Sequence, residues 1–157
     1  MDIRACTIDD LERLVPAFDK YRQFYRQESQ PEKIREFLKS LIEQEKSKIF
    51  LSYEDGELTG FVQLYPSYSS IGLAPIWILN DFFIFGGSER RETARGLLDA
   101  AKMLCEASKA IRLEVTTRKE NHRLHSIYRD YGFEKDYKYD YYFLRLSKDV
   151  PASNMLK

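Results

Sequence analysis

Cysteine is scarce in this chain. Cys6 and Cys105 are its two cysteines in 157 residues, and they lie too far apart to mark a disulfide framework or a thiolate metal cluster. Histidine is as scarce: His122 and His125 share one helical stretch with no Asp, Glu or Cys cluster beside them, so no metal site is expected. An excess of either charge is lacking too. Lys+Arg and Asp+Glu number 25 each, which leaves no global field to draw the chain to DNA, RNA or an anionic membrane. No apolar run approaches membrane-spanning length, and MDIRACTIDD has no apolar signal core. A cytoplasmic protein with no nucleic-acid and no membrane partner is the expectation. Internal repeats, low-complexity segments and linkers are also missing, so residues 1–148 are read as one domain and 149–157 as a loose tail. What is present is a globular composition, 43% hydrophobic, with 14% aromatics and 11 tyrosines.

Taken in order, residues 2–6 suit a short strand. Thr7 caps a helix with Asp10 as capping-box partner, and Leu11, Leu14, Val15, Phe18, Tyr21 and Tyr25 follow at helical spacing, with Pro16 expected to kink them. Pro31 opens a second helix with Ile34, Phe37, Leu38, Leu41 and Ile42 on one face. Lys48–Tyr53 and Leu58–Tyr65 read as strands joined by an Asp-Gly hairpin turn in EDGE. PSYSSIGLAP reads as a turn-rich loop, and Ile76–Phe85 as the most apolar and hence central strand. Ser88 is a candidate cap for a helix with Ala94, Leu97, Leu98, Ala101, Leu104 and Cys105 on its inner face. A strand over Ile111–Thr116 follows. Then comes a short helix capped by Asn121 and closed by Gly132, with Leu124, Ile127, Tyr128 and Tyr131 on one side. Phe133–Lys135 reads as extended, and Tyr139–Leu146 as a final strand. This order buries every apolar stripe in an α/β (α+β) domain, a central mixed sheet with helices on both faces.

One stretch gathers chemistry. In IWILNDFFIFGGSERRETARGLL, residues 76–98, a buried strand runs through a Gly-Gly turn into an amphipathic helix. A helix start collects backbone N–H groups and the positive end of the helix dipole, which favours an anion. Arg90, Arg91 and Arg95 add charge there, and their planar forks suit phosphate oxygens.

Four segments then carry a resemblance: YRQFYRQESQ after the first helix, GELTGFVQLYPSYSS, WILNDFFI, and ENHRLHSIYRDYGF with Asn121, Tyr128, Gly132 and Phe133. Together, and in this order, they resemble the GNAT superfamily of acetyl-coenzyme A-dependent N-acetyltransferases over about residues 1–147. The resemblance implies a mostly antiparallel sheet whose fourth strand splays from the fifth. It also implies acetyl-coenzyme A as co-substrate, bound along the backbone of Phe83 and Ile84 and at the helix start. That helix start spans Arg90, Arg91, Glu92, Thr93, Ala94 and Arg95, and Asn121 would contact the coenzyme amide. The family's loop is Arg/Gln-x-x-Gly-x-Gly/Ala. Glu89 here replaces the Arg/Gln and Glu92 the first Gly, while Ala94 fits. A carboxylate beside a pyrophosphate costs on the order of 1 kcal/mol or more unless it turns to water, so weakened coenzyme binding is expected.

Acetyl transfer to an amine needs a base for the amine proton and an acid for the departing thiolate. Tyr128 is the acid candidate, with core packing as its alternative role. Asp81 is the base candidate, directly or through water, because a carboxylate in a central strand requires a partner or a reason; a structural pairing with Arg or a backbone group is the alternative. Asn80 should point to the opposite face. Tyr21, Tyr25 and Tyr65 are candidates for the acceptor side, or for core and rim packing. The expected activity is transfer of an acetyl group to a primary amine by direct attack in a ternary complex. The acceptor is a small molecule or a protein, and a homodimer is expected by analogy. The alternative is a catalytically silent GNAT fold that binds a ligand or partner.

Overall fold

The computed structural model describes residues 1–86 and 90–146. Its compact units are 1–115 and 116–157, each taken here by itself. The first holds a five-stranded sheet in the order β1 (Asp2–Ala5), β2 (Lys48–Glu54), β3 (Glu57–Ser69), β4 (Ala74–Ile84), β5 (Leu113–Val115). Every pair is antiparallel except β4–β5, which is parallel.

Three helices cover this sheet. A 3-10 turn at Ile8–Asp10 leads into α1 (Leu11–Phe24), which runs through Pro16, and α2 (Pro31–Glu43) starts on its proline as expected. Leu14, Phe18 and Tyr21 of α1 and Ile34 and Leu38 of α2 bury against Ile49, Leu51, Tyr53 and Phe61, with the Phe18 and Phe61 rings stacked at 5.4 Å. The opposite face takes α3 (Arg91–Ala107), whose Leu97 and Leu98 are fully buried and contribute about 1.5–3 kcal/mol apiece. Two glycines let α3 lie close. A Cβ at Gly60 would meet the Phe83 carbonyl oxygen at 2.8 Å and Leu97 at 3.2 Å, and one at Gly96 would overlap the Ile3 side chain.

The β2–β3 turn is the expected one: Asp55 and Gly56 both take positive φ, 51° and 82°, as a type I′ hairpin requires. The segment 66–75 departs from expectation. Its turn is confined to residues 70–73, because β3 and β4 stay paired out to Ser69 and Ala74. Pro66 is tolerated because it lies past the last β2 pair, Lys48 with Leu64, where β3 has a strand on one side only.

The second unit contains α4 (His122–Tyr131). The Asn121 side chain caps it, accepting from the Leu124 N–H at 3.2 Å, and Gly132 closes it at φ 112°. The expected final strand over Tyr139–Leu146 does not form, nor does an extended pairing at Phe133–Lys135; residues 133–146 carry no regular element. A strand needs a neighbour for its backbone groups, and no strand pairs with these residues among the described ones. The expected tail, 149–157, lies outside the described residues.

Candidate active site

The centre of the site is a break in β4. Leu79 pairs with Leu64 and Asp81 with Gln63, so Asn80 is one extra residue on β4, a β-bulge. The pairing of β4 with β5 stops at the same place, its last pair being Leu79 with Val115. A bulge bends its strand and steepens the twist. Beyond it, Asp81 to Ile84 continue along β3, while β5 no longer follows. The ladder between the fourth and fifth strands ends where the bulge stands.

Asn80, expected on the face opposite Asp81 and simply hydrogen-bonded, is exposed, and its Nδ2 donates to Asp81 Oδ2 at 2.9 Å. The Tyr21 hydroxyl donates to Oδ1 at 2.8 Å, and Gln63 Nε2 donates to Oδ2 at 2.8 Å. Asp81 is only 3% exposed, and a buried carboxylate is held by such donors. These three donors are uncharged side chains. Gln63 also donates to the Tyr65 hydroxyl at 3.1 Å and accepts from the Ser47 hydroxyl at 3.1 Å. Burial first, then the charge of Asp81, raises the Tyr65 phenol above its ordinary value, so it keeps its proton.

The three tyrosines proposed for the acceptor side separate. Tyr21 is core, packed edge-on to Phe18 and Phe61, whereas Tyr25 and Tyr65 are half-buried. An aromatic wall continues outward from Tyr21 through Phe83 to Phe24 and Phe85, at ring separations of 5.0–5.8 Å. Gln63 and Ser47 were not anticipated. The one signal for Gln63 is a lone amide inside the apolar run Phe61–Leu64.

At the other end of the splayed segment stands the start of α3. The helix begins at Arg91 with Arg90 as its N-cap residue, and Arg90 makes no side-chain cap. The expected cap Ser88 lies outside the described residues, as does Glu89. Phe83 and Ile84 are half-buried. Arg91, Glu92 and Arg95 are exposed, and Thr93 and Ala94 are buried. Ala94 gives its N–H to the Arg90 carbonyl at 3.1 Å, so it packs the helix instead of offering a donor. Glu92 sits in the first turn with its side chain in solvent, where the helix dipole favours an acid. Arg90 is engaged already: Nη1 pairs with Glu54 of the β2–β3 hairpin at 2.8 Å.

In the second unit Tyr128 is the buried residue of α4, its ring 5.3 Å from Phe133, and its carbonyl accepts from the Gly132 and Phe133 N–H groups. Asn121 is committed to capping through its side-chain oxygen. His122 is exposed, and a ring nitrogen of His125 lies 3.0 Å from the Arg118 carbonyl. Among the described residues no group of His, Cys, Asp and Glu is placed to hold a metal, and no helix is long and apolar enough to cross a membrane. Burial raises both thiols, Cys6 to about 12, which leaves neither as a ready nucleophile.

A sheet broken by a bulge at the end of its parallel pair, with a helix start beyond it, is the architecture of an acetyltransferase of the GNAT type. The chain belongs to that family: the model of the Acetyltransferase (GNAT) family matches residues 14–133. It is 36% identical over 152 residues to the protein of Bacillus subtilis (strain 168) named "Uncharacterized N-acetyltransferase YhfO", covering 97% of this chain and 99% of that one. A crystal structure titled as that of a probable acetyltransferase superposes with a TM-score of 0.88 at 38% identity, over 94% of this chain and 99% of the other. The fold is shared more distantly by the aminoglycoside N-acetyltransferase AAC(6')-Iy, solved in complex with CoA. There the TM-score is 0.77 at 18% identity, over 92% of this chain and 94% of that one.

Proposed function

We propose that this protein transfers an acetyl group from acetyl-coenzyme A to a primary amine, by direct attack in a ternary complex. The observation that carries the reading is the Asn80 bulge, which ends the β5 pairing at Leu79 and draws three donors onto Asp81 at the same point.

The residues fit such a co-substrate. Strand backbone at Phe83 and Ile84 lies past the end of the β5 ladder, where an amide-bearing arm can add as a further strand does. The first turn of α3 supplies N–H groups at Arg91, Glu92 and Thr93, with Arg91 and Arg95 on its exposed side, a donor set suited to phosphate. Bound there, acetyl-coenzyme A supplies a thioester-activated acetyl group. Asp81 receives the amine proton, directly or through water, while Gln63 and Tyr21 fix its orientation. Tyr25 and Tyr65 line the approach of the amine, a small molecule or a protein group. Tyr128 gives a proton to the leaving thiolate, and Asn121 faces the coenzyme amide; both roles rest on the family pattern. The family match crosses residues 115–116, which supports reading both compact units as one domain, 1–148, with the expected cytoplasmic setting.

One feature favours a second reading, a silent GNAT domain that has lost its coenzyme. Arg90 is paired with Glu54, and Glu92 stands in the first helical turn. Calorimetric titration with acetyl-coenzyme A separates the two. Saturable heat at micromolar ligand is the expected result, and none up to high micromolar would overturn the enzyme reading. With binding in hand, Tyr128→Phe should lower turnover far more than affinity, and unchanged turnover would remove Tyr128 from its role.

A further inference from the structure

Ser47 is a buried hydroxyl one residue ahead of β2, 5% exposed. The end of α2 places it there. Glu45 takes φ 50° and gives its N–H to the Ile42 carbonyl at 3.2 Å, while Lys46 gives its N–H to the Leu41 carbonyl at 2.9 Å. This pair of bonds closes a helix through a left-handed residue and turns the chain back. The chain then enters β2 with Lys48 opposite Leu64 and Ile49 opposite Gln63. By alternation Ser47 shares a sheet face with Ile49 and Gln63 and stands diagonal to Gln63, within side-chain reach.

Gln63 is fully buried, and its amide has a direction: the oxygen accepts, and the nitrogen carries two hydrogens. Nε2 gives one hydrogen to Asp81 Oδ2 at 2.8 Å and the other to the Tyr65 hydroxyl at 3.1 Å. Oε1 takes the Ser47 hydroxyl at 3.1 Å. The reversed amide would set oxygen against the Asp81 carboxylate, which a buried site does not tolerate. The bond to Tyr65 is directional as well. Gln63 supplies its hydrogen, so the phenol's own hydrogen is turned away from Gln63. One amide therefore sets two groups, the Asp81 carboxylate and the Tyr65 hydroxyl, and Ser47 holds that amide from behind.

We propose that Ser47 is a positioning residue of the transfer reaction: its hydroxyl locks the Gln63 amide in the orientation that gives hydrogens to Asp81 and Tyr65 together, and so fixes the acceptor side of the site. The inference rests on the proposed reaction with Asp81 as proton acceptor. Ser47 touches neither Asp81 nor a substrate in this scheme and acts through Gln63 alone.

The lock is tested first without turnover, in the full chain. Solvent exchange of the Gln63 side-chain amide hydrogens, followed by NMR, should be about tenfold faster in Ser47→Ala than in the parent, with helical circular dichroism unchanged. Equal exchange rates overturn the proposal. Steady-state kinetics then test the consequence. Ser47→Ala should lower kcat roughly tenfold and leave the KM for acetyl-coenzyme A within about twofold, and an unmoved kcat overturns the proposal. Gln63→Leu removes the amide through which Ser47 acts. Adding Ser47→Ala to it should cost nothing further, and a full additional loss overturns the proposal by showing that the hydroxyl acts elsewhere. The failure of the enzyme reading looks different: the parent chain then gives no heat with acetyl-coenzyme A and no turnover, and the role of Ser47 falls with it. Heat and turnover in the parent with a kcat insensitive to Ser47→Ala overturn the role of Ser47 alone.

Discussion

Two of the buried aspartates of the first unit, Asp10 and Asp81, are held in different ways. Asp10, at the foot of α1, takes a two-pronged ion pair from Arg4, with Nη1 at 2.8 Å and Nη2 at 2.5 Å, and accepts the Thr7 N–H at 2.9 Å. Asp81, at the β4 bulge, accepts from the uncharged side chains of Tyr21, Gln63 and Asn80. Both solutions satisfy a carboxylate out of water. A guanidinium fork rewards the anion strongly and fixes its charge: the Arg4 hydrogen bonds, working against burial, bring the Asp10 carboxyl down from 3.8 to about 2. Asp10 is therefore an anchor for β1 and α1. The Tyr21, Gln63 and Asn80 donors fix the orientation of the Asp81 carboxylate.

The sharpest way to break this comparison is Asp81→Asn. If Asp81 takes the amine proton, kcat should fall by about 10²–10³-fold, with unfolding free energy moving by no more than ~2 kcal/mol because the amide oxygen still accepts. Equal activity in a steady-state assay would make Asp81 an anchor like Asp10. Next in size is Arg4→Met, which strands a buried carboxylate. A loss of about 1–3 kcal/mol at pH 7 is expected, short of the cost at a fully enclosed pair because Arg4 is partly exposed. The pH dependence has a definite sign. The Asp10 value is depressed on folding, so its stabilisation is complete above 3.8 and lost as pH falls through about 2. Urea unfolding of Arg4→Met should show a flatter decline across that window, and an unchanged decline would assign the acid sensitivity to other groups. The smallest effect belongs to a third acid, Glu54, on its exposed partner Arg90. Glu54→Gln should release the guanidinium toward the start of α3 and tighten acetyl-coenzyme A about two- to fivefold, the size of an exposed ion pair. Unchanged affinity would mean that Arg90 holds the hairpin and nothing more.

The legible parts were those set by neighbours in sequence. The inner face of α3, the Asn121 cap, the Gly132 terminus and the Asp55–Gly56 turn all follow from residues within one or two turns of each other. The missed parts depended on distant chain. Alternation does not reveal the Asn80–Asp81 hydrogen bond, because a bulge shifts the period by one and leaves no local mark. The arm from Pro66 to Ser69 reads as a loop in the sequence since its polar residues and Pro66 mimic turn chemistry, and only its ladder with Ala74–Trp77 reveals a strand. Tyr139–Leu146 has strand composition and still forms no strand, because composition cannot supply a neighbour.

By itself, then, the sequence determined the class of fold, the apolar faces of the helices, and an anion-suited helix start. Periodicity, capping and helix dipoles are local physics. The tertiary structure alone decided what surrounds Asp81. Tyr21 reaches it from 60 residues away and Gln63 from 18, and no spacing in the chain encodes a meeting set by how a helix lies across a bulged strand.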